Sequence, residues 1–129
     1  MNRRRSITTI AAATLSAAIP AVAASPGIQL HVDLNVDPAK EKELLKNFAS
    51  TFQPTIKKQP GFIDVKLMKL RKVAKGVGPV NTNFRLLISF QTEEQRLQWV
   101  ASDVHQKVWP SIENNLRGDK LSAVLFDLE

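Results

Sequence analysis

The stretch NFRLLISFQTEEQRLQWVASDVHQKVW, residues 83–109, changes period part-way along, and the change decides how the chain folds. Phe84, Leu86, Ile88 and Phe90 alternate with Arg85, Leu87, Ser89 and Gln91, the two-residue period of a strand with one face in a core. Thr92-Glu93-Glu94-Gln95 then reads as a capping box opening a helix. Leu97 and Val100 are predicted to mark its buried side, with Trp99 flanking them. Ser102-Asp103 interrupts the run, and Asp103 is expected to cap a second helical piece that carries His105 and Trp109. A core strand therefore leads straight into a helix whose far end displays one of two histidines.

Upstream, Ile28, Leu30, Val32, Leu34 and Val36 alternate with Gln29, His31, Asp33 and Asn35, which predicts a first strand. Asp37-Pro38 is an N-cap followed by proline at the first helical position. Leu44, Leu45, Phe48 and Phe52 then recur at helical spacing. Pro54 lacks an amide hydrogen and crowds the preceding turn, so the helix should end or kink near Ser50 to Phe52, with a further turn through Ile56. Pro60-Gly61 signals a turn. A second strand is expected from Phe62 to about Arg71, with Ile63, Val65 and Leu67 facing one way and Asp64, Lys66, Met68 and Leu70 the other. The loop of residues 72–82 joins it to the third strand. Gly118 stands where a helix C-cap belongs, and Lys120 to Leu128 reads as the last strand.

The resulting order is strand, helix, strand, strand, helix, strand. That is the α+β, ferredoxin-like split βαβ pattern, a four-stranded antiparallel sheet with both helices on one face. The other face carries Leu87, Met68, Leu70, Val124, Phe126 and Leu128, more apolar surface than a monomer leaves open to water. A second copy packed face to face, a homodimer, is the simplest cover, and leaves room for a small ligand between sheet and helices.

The 129 residues make one domain, preceded by a segment that does not belong to it. Arg3-Arg4-Arg5, a mildly apolar stretch from Ile7 to Ile19 and Ala21-Val22-Ala23 follow the tripartite export pattern. We therefore expect residues 1–24 to be a signal peptide of Sec or twin-arginine type, residues 25–129 to be the folded domain, and the protein to be periplasmic or secreted, with no stable membrane insertion after cleavage. Losing three arginines brings the 18 basic residues to 15 against 12 acidic ones, so the net charge falls from +6 to +3. No aromatic residues interleave with Lys66, Lys69, Arg71, Lys72 and Lys75, which argues against nucleic acid as a partner. The absence of cysteine excludes disulfides, thiolate metal sites and a cysteine nucleophile, and two histidines far apart in sequence argue against a transition metal.

The order of elements, Pro60-Gly61-Phe62 after the first helix, and the run from Trp99 through Ser102-Asp103-Val104-His105 to Trp109 resemble the antibiotic biosynthesis monooxygenase superfamily. That resemblance spans the whole chain beyond the export segment. It implies a dimeric α/β barrel and oxygenation of a quinol or an aromatic, polyketide-like substrate without a cofactor. The superfamily's haem-degrading branch depends on an Asn, a Trp and a His. Here Leu30 falls near the first of these positions, Phe90 takes the second and Trp109 the third, three departures that argue against haem degradation. His105 instead matches a histidine that other members carry.

Within that frame His105 or His31 is the candidate base, since imidazole titrates near neutrality, and Arg85 is the candidate to steady an oxyanion. Asp33, Trp99, Trp109 and Phe126 are candidate substrate-binding residues, the aromatic ones walling a flat ring. Plainer structural readings stand beside these. The His105 ring can bond a backbone carbonyl at the helix break, and Asp33 can simply pair with Arg85. His31 and Asp33 lie about 7 Å apart along one strand face, so both can look into one cavity. A non-catalytic dimer binding a small apolar ligand, or a structural, stress-associated domain with a filled interior, are the alternatives to an enzyme.

Overall fold

The computed structural model describes residues 26–118 and 121–129; the expected export segment lies outside the described residues, as does Lys120. Four strands form one antiparallel sheet: β1 (Ile28–Leu34), β2 (Phe62–Lys69), β3 (Phe84–Phe90) and β4 (Ser122–Asp127), in the spatial order β2-β3-β1-β4. With the helices between β1 and β2 and between β3 and β4, this is the ferredoxin-like fold that the alternating patterns predict.

The first helical segment opens on a 3-10 turn, Pro38–Lys40, where the Asp37 carboxylate accepts the Ala39 amide at 3.0 Å. It continues as α1 (Glu41–Asn47), widens into a π-helical turn (Phe48–Phe52) and closes as α2 (Gln53–Ile56). The expected kink before Pro54 is thus a π turn, which absorbs the proline without ending the helix and turns Phe52 fully into the core. The second helical segment comprises α3 (Glu93–Ala101), α4 (Asp103–Val108) and α5 (Pro110–Glu113). Between sheet and helices lie Leu34, Leu44, Phe52, Ile56, Phe84, Leu86, Phe90 and Ile112, all essentially inaccessible to water. Each such side chain stabilises the fold by roughly 1.5–3 kcal/mol through removal from water.

Several local expectations need correction. Trp99, 3 % exposed, is the buried residue of α3, while Leu97 is 51 % exposed and Val100 sits at the rim. The large indole packs edge-on against Phe52 and takes the inward row that the smaller side chains were expected to fill. Ser102, not Asp103, caps α4, its Oγ accepting the His105 amide at 3.1 Å. β2 ends at Lys69 and carries a register shift between Phe62 and Asp64, so Phe62 replaces Ile63 in the row that faces Phe90, Ile88 and Leu86. β1 ends at Leu34, and Val36 forms an isolated bridge to Leu116 instead of extending the strand. α5 ends at Glu113, and Gly118, with φ of +69°, belongs to the turn leading to β4.

Candidate active site

The sheet separates the sequence-predicted site residues into two groups. On the face away from the helices stand Gln29, His31 and Asp33 of β1, paired in register with Ser89, Leu87 and Arg85 of β3 and with Phe126, Val124 and Ser122 of β4. The Arg85 guanidinium donates to both carboxylate oxygens of Asp33, Nε at 2.6 Å and Nη2 at 3.2 Å, and this bond holds its pKa above the usual value. The His31 Nε2 donates to the Gln29 amide oxygen at 2.8 Å, and the Gln29 amide nitrogen donates to Ser89 Oγ at 3.2 Å. The His31 ring also meets Phe126 edge-on, 4.8 Å between centroids. Asp33 and Arg85 bond each other on both carboxylate oxygens, so their paired reading is the one the structure adopts.

His105, Trp99 and Trp109 meet on the helix side. They line a pocket of about 180 Å³ together with Phe52, with Leu30, Val32, Ile88 and Ala123 on the sheet, and with Leu121 just before β4. None of the helices covers β4, whose six residues are all exposed, and the pocket opens beside that strand. His31, Asp33, Arg85 and Phe126 are absent from its lining and do not share a cavity with His105.

The break at Ser102 creates this arrangement. Its backbone is extended, with ψ of 153°, and its Oγ donates to the Trp99 carbonyl at 2.7 Å while accepting the His105 amide. The chain turns there, and the imidazole packs edge-on against Trp99 with centroids 5.0 Å apart. Its Nδ1 is buried and has no hydrogen-bond partner among the described residues. A buried polar atom left unpaired costs about 1–3 kcal/mol, so it needs a partner from elsewhere or a chemical reason. Burial pushes the His105 pKa below its ordinary value, which keeps the ring neutral and able to accept a proton near pH 7.

Sequence reasoning missed Arg96. It lies on the inward side of α3, with its side chain 16 % exposed, and it is the one formally charged residue lining the pocket among the described residues. Its guanidinium donates to Glu93 through Nε at 2.6 Å and Nη2 at 2.8 Å, which raises the arginine pKa and lowers that of the glutamate. The three-residue spacing from Glu93 and the same spacing on to Trp99 were the available signal. Among the described residues no group of three or more His, Asp or Glu converges, and no helix is long and apolar enough to cross a membrane.

No family model matches the chain, and no curated protein matches it in sequence. Solved structures do match. A dimeric ferredoxin-like protein from Jannaschia aligns with a TM-score of 0.66 at 12% identity, covering 78% of this chain and 98% of its own. SnoaB of Streptomyces nogalater, a cofactor-independent oxygenase, aligns at 0.59 with 17% identity over 79% of this chain and 92% of its own. A Streptomyces coelicolor monooxygenase in complex with nanaomycin D aligns at 0.59 with 18% identity over 78% and 86%. The chain has the fold of the antibiotic biosynthesis monooxygenase structures. At these identities the likeness concerns the fold, and the site must be argued from its own residues.

Proposed function

We propose that this protein is a cofactor-independent monooxygenase that acts on a quinol or another electron-rich hydroxylated aromatic, with His105 as its general base. The observation that carries this reading is a neutral, half-buried imidazole that lines an apolar pocket flanked by two tryptophans and whose buried Nδ1 has no partner among the described residues. A substrate hydroxyl seated in the pocket would lie against the His105 ring that lines it. In the reaction the imidazole takes the hydroxyl proton, and the phenolate passes electrons to dioxygen. A phenol bearing hydrogen at the reacting carbon becomes a quinone: one oxygen atom enters the ring and the other leaves as water. Atoms and electrons balance with no further reductant. The protein's part is to remove the proton, hold the ring between Trp99 and Trp109 and keep water away.

The His31, Asp33, Arg85 and Phe126 face takes a different role in this reading. Met68 and Phe126 are 40 % and 52 % exposed there, on the same face as the Gln29–His31 and Asp33–Arg85 bonds. This face packs against a second copy, giving the two-fold dimer in which each subunit keeps its own pocket. The export pattern of residues 3–23 supports a periplasmic or secreted location.

The test is oxygen uptake by purified, metal-stripped protein over a panel of hydroquinones and phenols, with no flavin added. We expect uptake matched by quinone formation, and a loss of about a hundredfold or more in kcat with His105→Ala, as for removal of a general base. Equal rates for wild type and His105→Ala would remove the mechanism.

A further inference from the structure

One segment of the chain and one side of the pocket are each left uncovered. We infer that the loop of residues 70–82 is an arm that crosses to a second copy of this chain and closes the open side of that copy's His105 pocket; this rests on the two-fold dimer proposed above. The arm is apolar and bare. Val77 is 98 % exposed and Val80 80 %, and Leu70 and Val73, nearer its base, are exposed too. Gly76, with φ of +76°, stands at its turn. Gly78 packs so closely on the Val73 side chain that a Cβ has no room there, so the two limbs of the arm hold each other.

The receiving surface is the mouth of the pocket. Val100 of α3 and Leu121 line it, and both are exposed. Leu125, opposite the pocket residue Leu30 in the β1–β4 pairing, continues the exposed apolar surface along β4. Two bare apolar surfaces on one molecule argue for mutual cover. Their charges match as well. Residues 70–82 carry Arg71, Lys72 and Lys75 and no acid, whereas α3 and α4 carry Glu94 and Asp103 against a single lysine, Lys107, besides the Glu93–Arg96 pair.

The topology supplies the path. β2 and β4 are the two edges of the sheet. Met68, Arg85, Asp33 and Ser122 pair in one row across it, so the arm leaves β2 at the end of the sheet where β4 begins. A two-fold axis along the strands sets the β2 edge of one copy over the β4 edge of the other. The arm then emerges beside Leu121 of the partner subunit. Facing sheets lie about 10 Å apart, and Leu70 to Gly76 spans up to about 20 Å when extended. That is enough to pass the edge and reach the helix side, where no helix covers β4. Each subunit thus receives the wall that its own helices do not supply, and water is kept from His105.

The chain has no cysteine, so single introduced cysteines report contacts cleanly. Val77→Cys protein, mixed with Val100→Cys protein and left to exchange subunits, should form a mixed covalent dimer with a short bis-maleimide. Val77→Cys mixed with Leu45→Cys, exposed on α1, should not. Val77→Asp changes a side chain that is bare in the single copy, so it spares the fold; it should weaken dimerisation about tenfold or more. Acrylamide quenching of Trp99 and Trp109 should rise with it. A wild-type dimer without the cross-link between positions 77 and 100, or unchanged dimerisation of Val77→Asp, would overturn the arm and leave the face-to-face dimer standing. Binding of the wild-type dimer to anionic phospholipid vesicles that Val77→Asp loses while staying dimeric would assign the arm to a lipid surface and overturn the inference too. If the wild type sediments as a single copy, the dimer reading fails and this inference fails with it.

Discussion

The His105 imidazole and the Trp109 indole lie nearly parallel, their planes 10° apart and their centroids separated by 6.0 Å. Trp99 closes on the same imidazole from its edge, so both tryptophans of the chain touch one titratable ring.

Tryptophan emission should therefore report the protonation of His105. A cation over or beside an indole face interacts with it differently from a neutral ring. Fluorescence titrated against pH should show one transition, with its midpoint below 6.5 because burial disfavours the imidazolium. His105→Gln should abolish it. A midpoint at or above 6.5 in the wild type would contradict the burial described here.

The same shift affects stability. The unfolded chain binds a proton at His105 at ordinary imidazole pH, whereas the folded protein resists until the pH is lower. This contribution is thus fully present above about 6.5, is lost as pH falls toward the lowered folded value, and changes no further below it. Urea denaturation at several pH values should show wild-type stability falling over that window relative to His105→Gln. A parallel pH dependence for the two proteins would count against the shift.

Asn83 should be costly to replace. Its Oδ1 accepts the Val36 amide at 2.8 Å and its Nδ2 donates to the Val36 carbonyl at 2.9 Å, tying the end of β1 to the start of β3. Val36 is fully buried, and Asn83→Ala would strand two of its backbone groups at about 1–3 kcal/mol each before relaxation. Denaturant midpoints measure this, and a loss below about 0.5 kcal/mol would mean that water replaces the amide.

The open sheet face predicts self-association. Sedimentation at micromolar concentration should give a dimer, and Phe126→Lys should weaken it at least tenfold by placing a charge on the open face beside His31 and Val124. A wild type that sediments as a single copy would remove the dimer and leave the His105 pocket unchanged.

Where one period dominated, the residues announced their own structure. Phe84 to Phe90 alternates as a strand and is one, and Thr92 with Gln95 opens a helix as a capping box should, Oγ1 accepting the Gln95 amide at 3.1 Å. Errors arose where competition between side chains decides. Leu97 and Val100 fit a helical stripe as well as Trp99 does, and only the space beside Phe52 settles which turns inward. The β2 shift moves Ile63 out of its row without any glycine or proline inside the strand to mark it. The site was half legible for a related reason. Alternation shows that His31, Asp33 and Arg85 share the face away from the core, but not that His105 lines a pocket on the opposite side of the sheet. Arg96 was missed because a charged residue on a helix reads as solvated until its neighbours are in place.

One serine decides how His105 meets Trp99. Residues six apart on an unbroken helix stand about 240° round the axis from one another, so Trp99 and His105 owe their contact to the extended turn at Ser102. A sequence that smoothed this corner into regular helix could keep every pocket residue and still disassemble the constellation. Anyone transplanting the site into another scaffold would have to carry the corner along with the side chains.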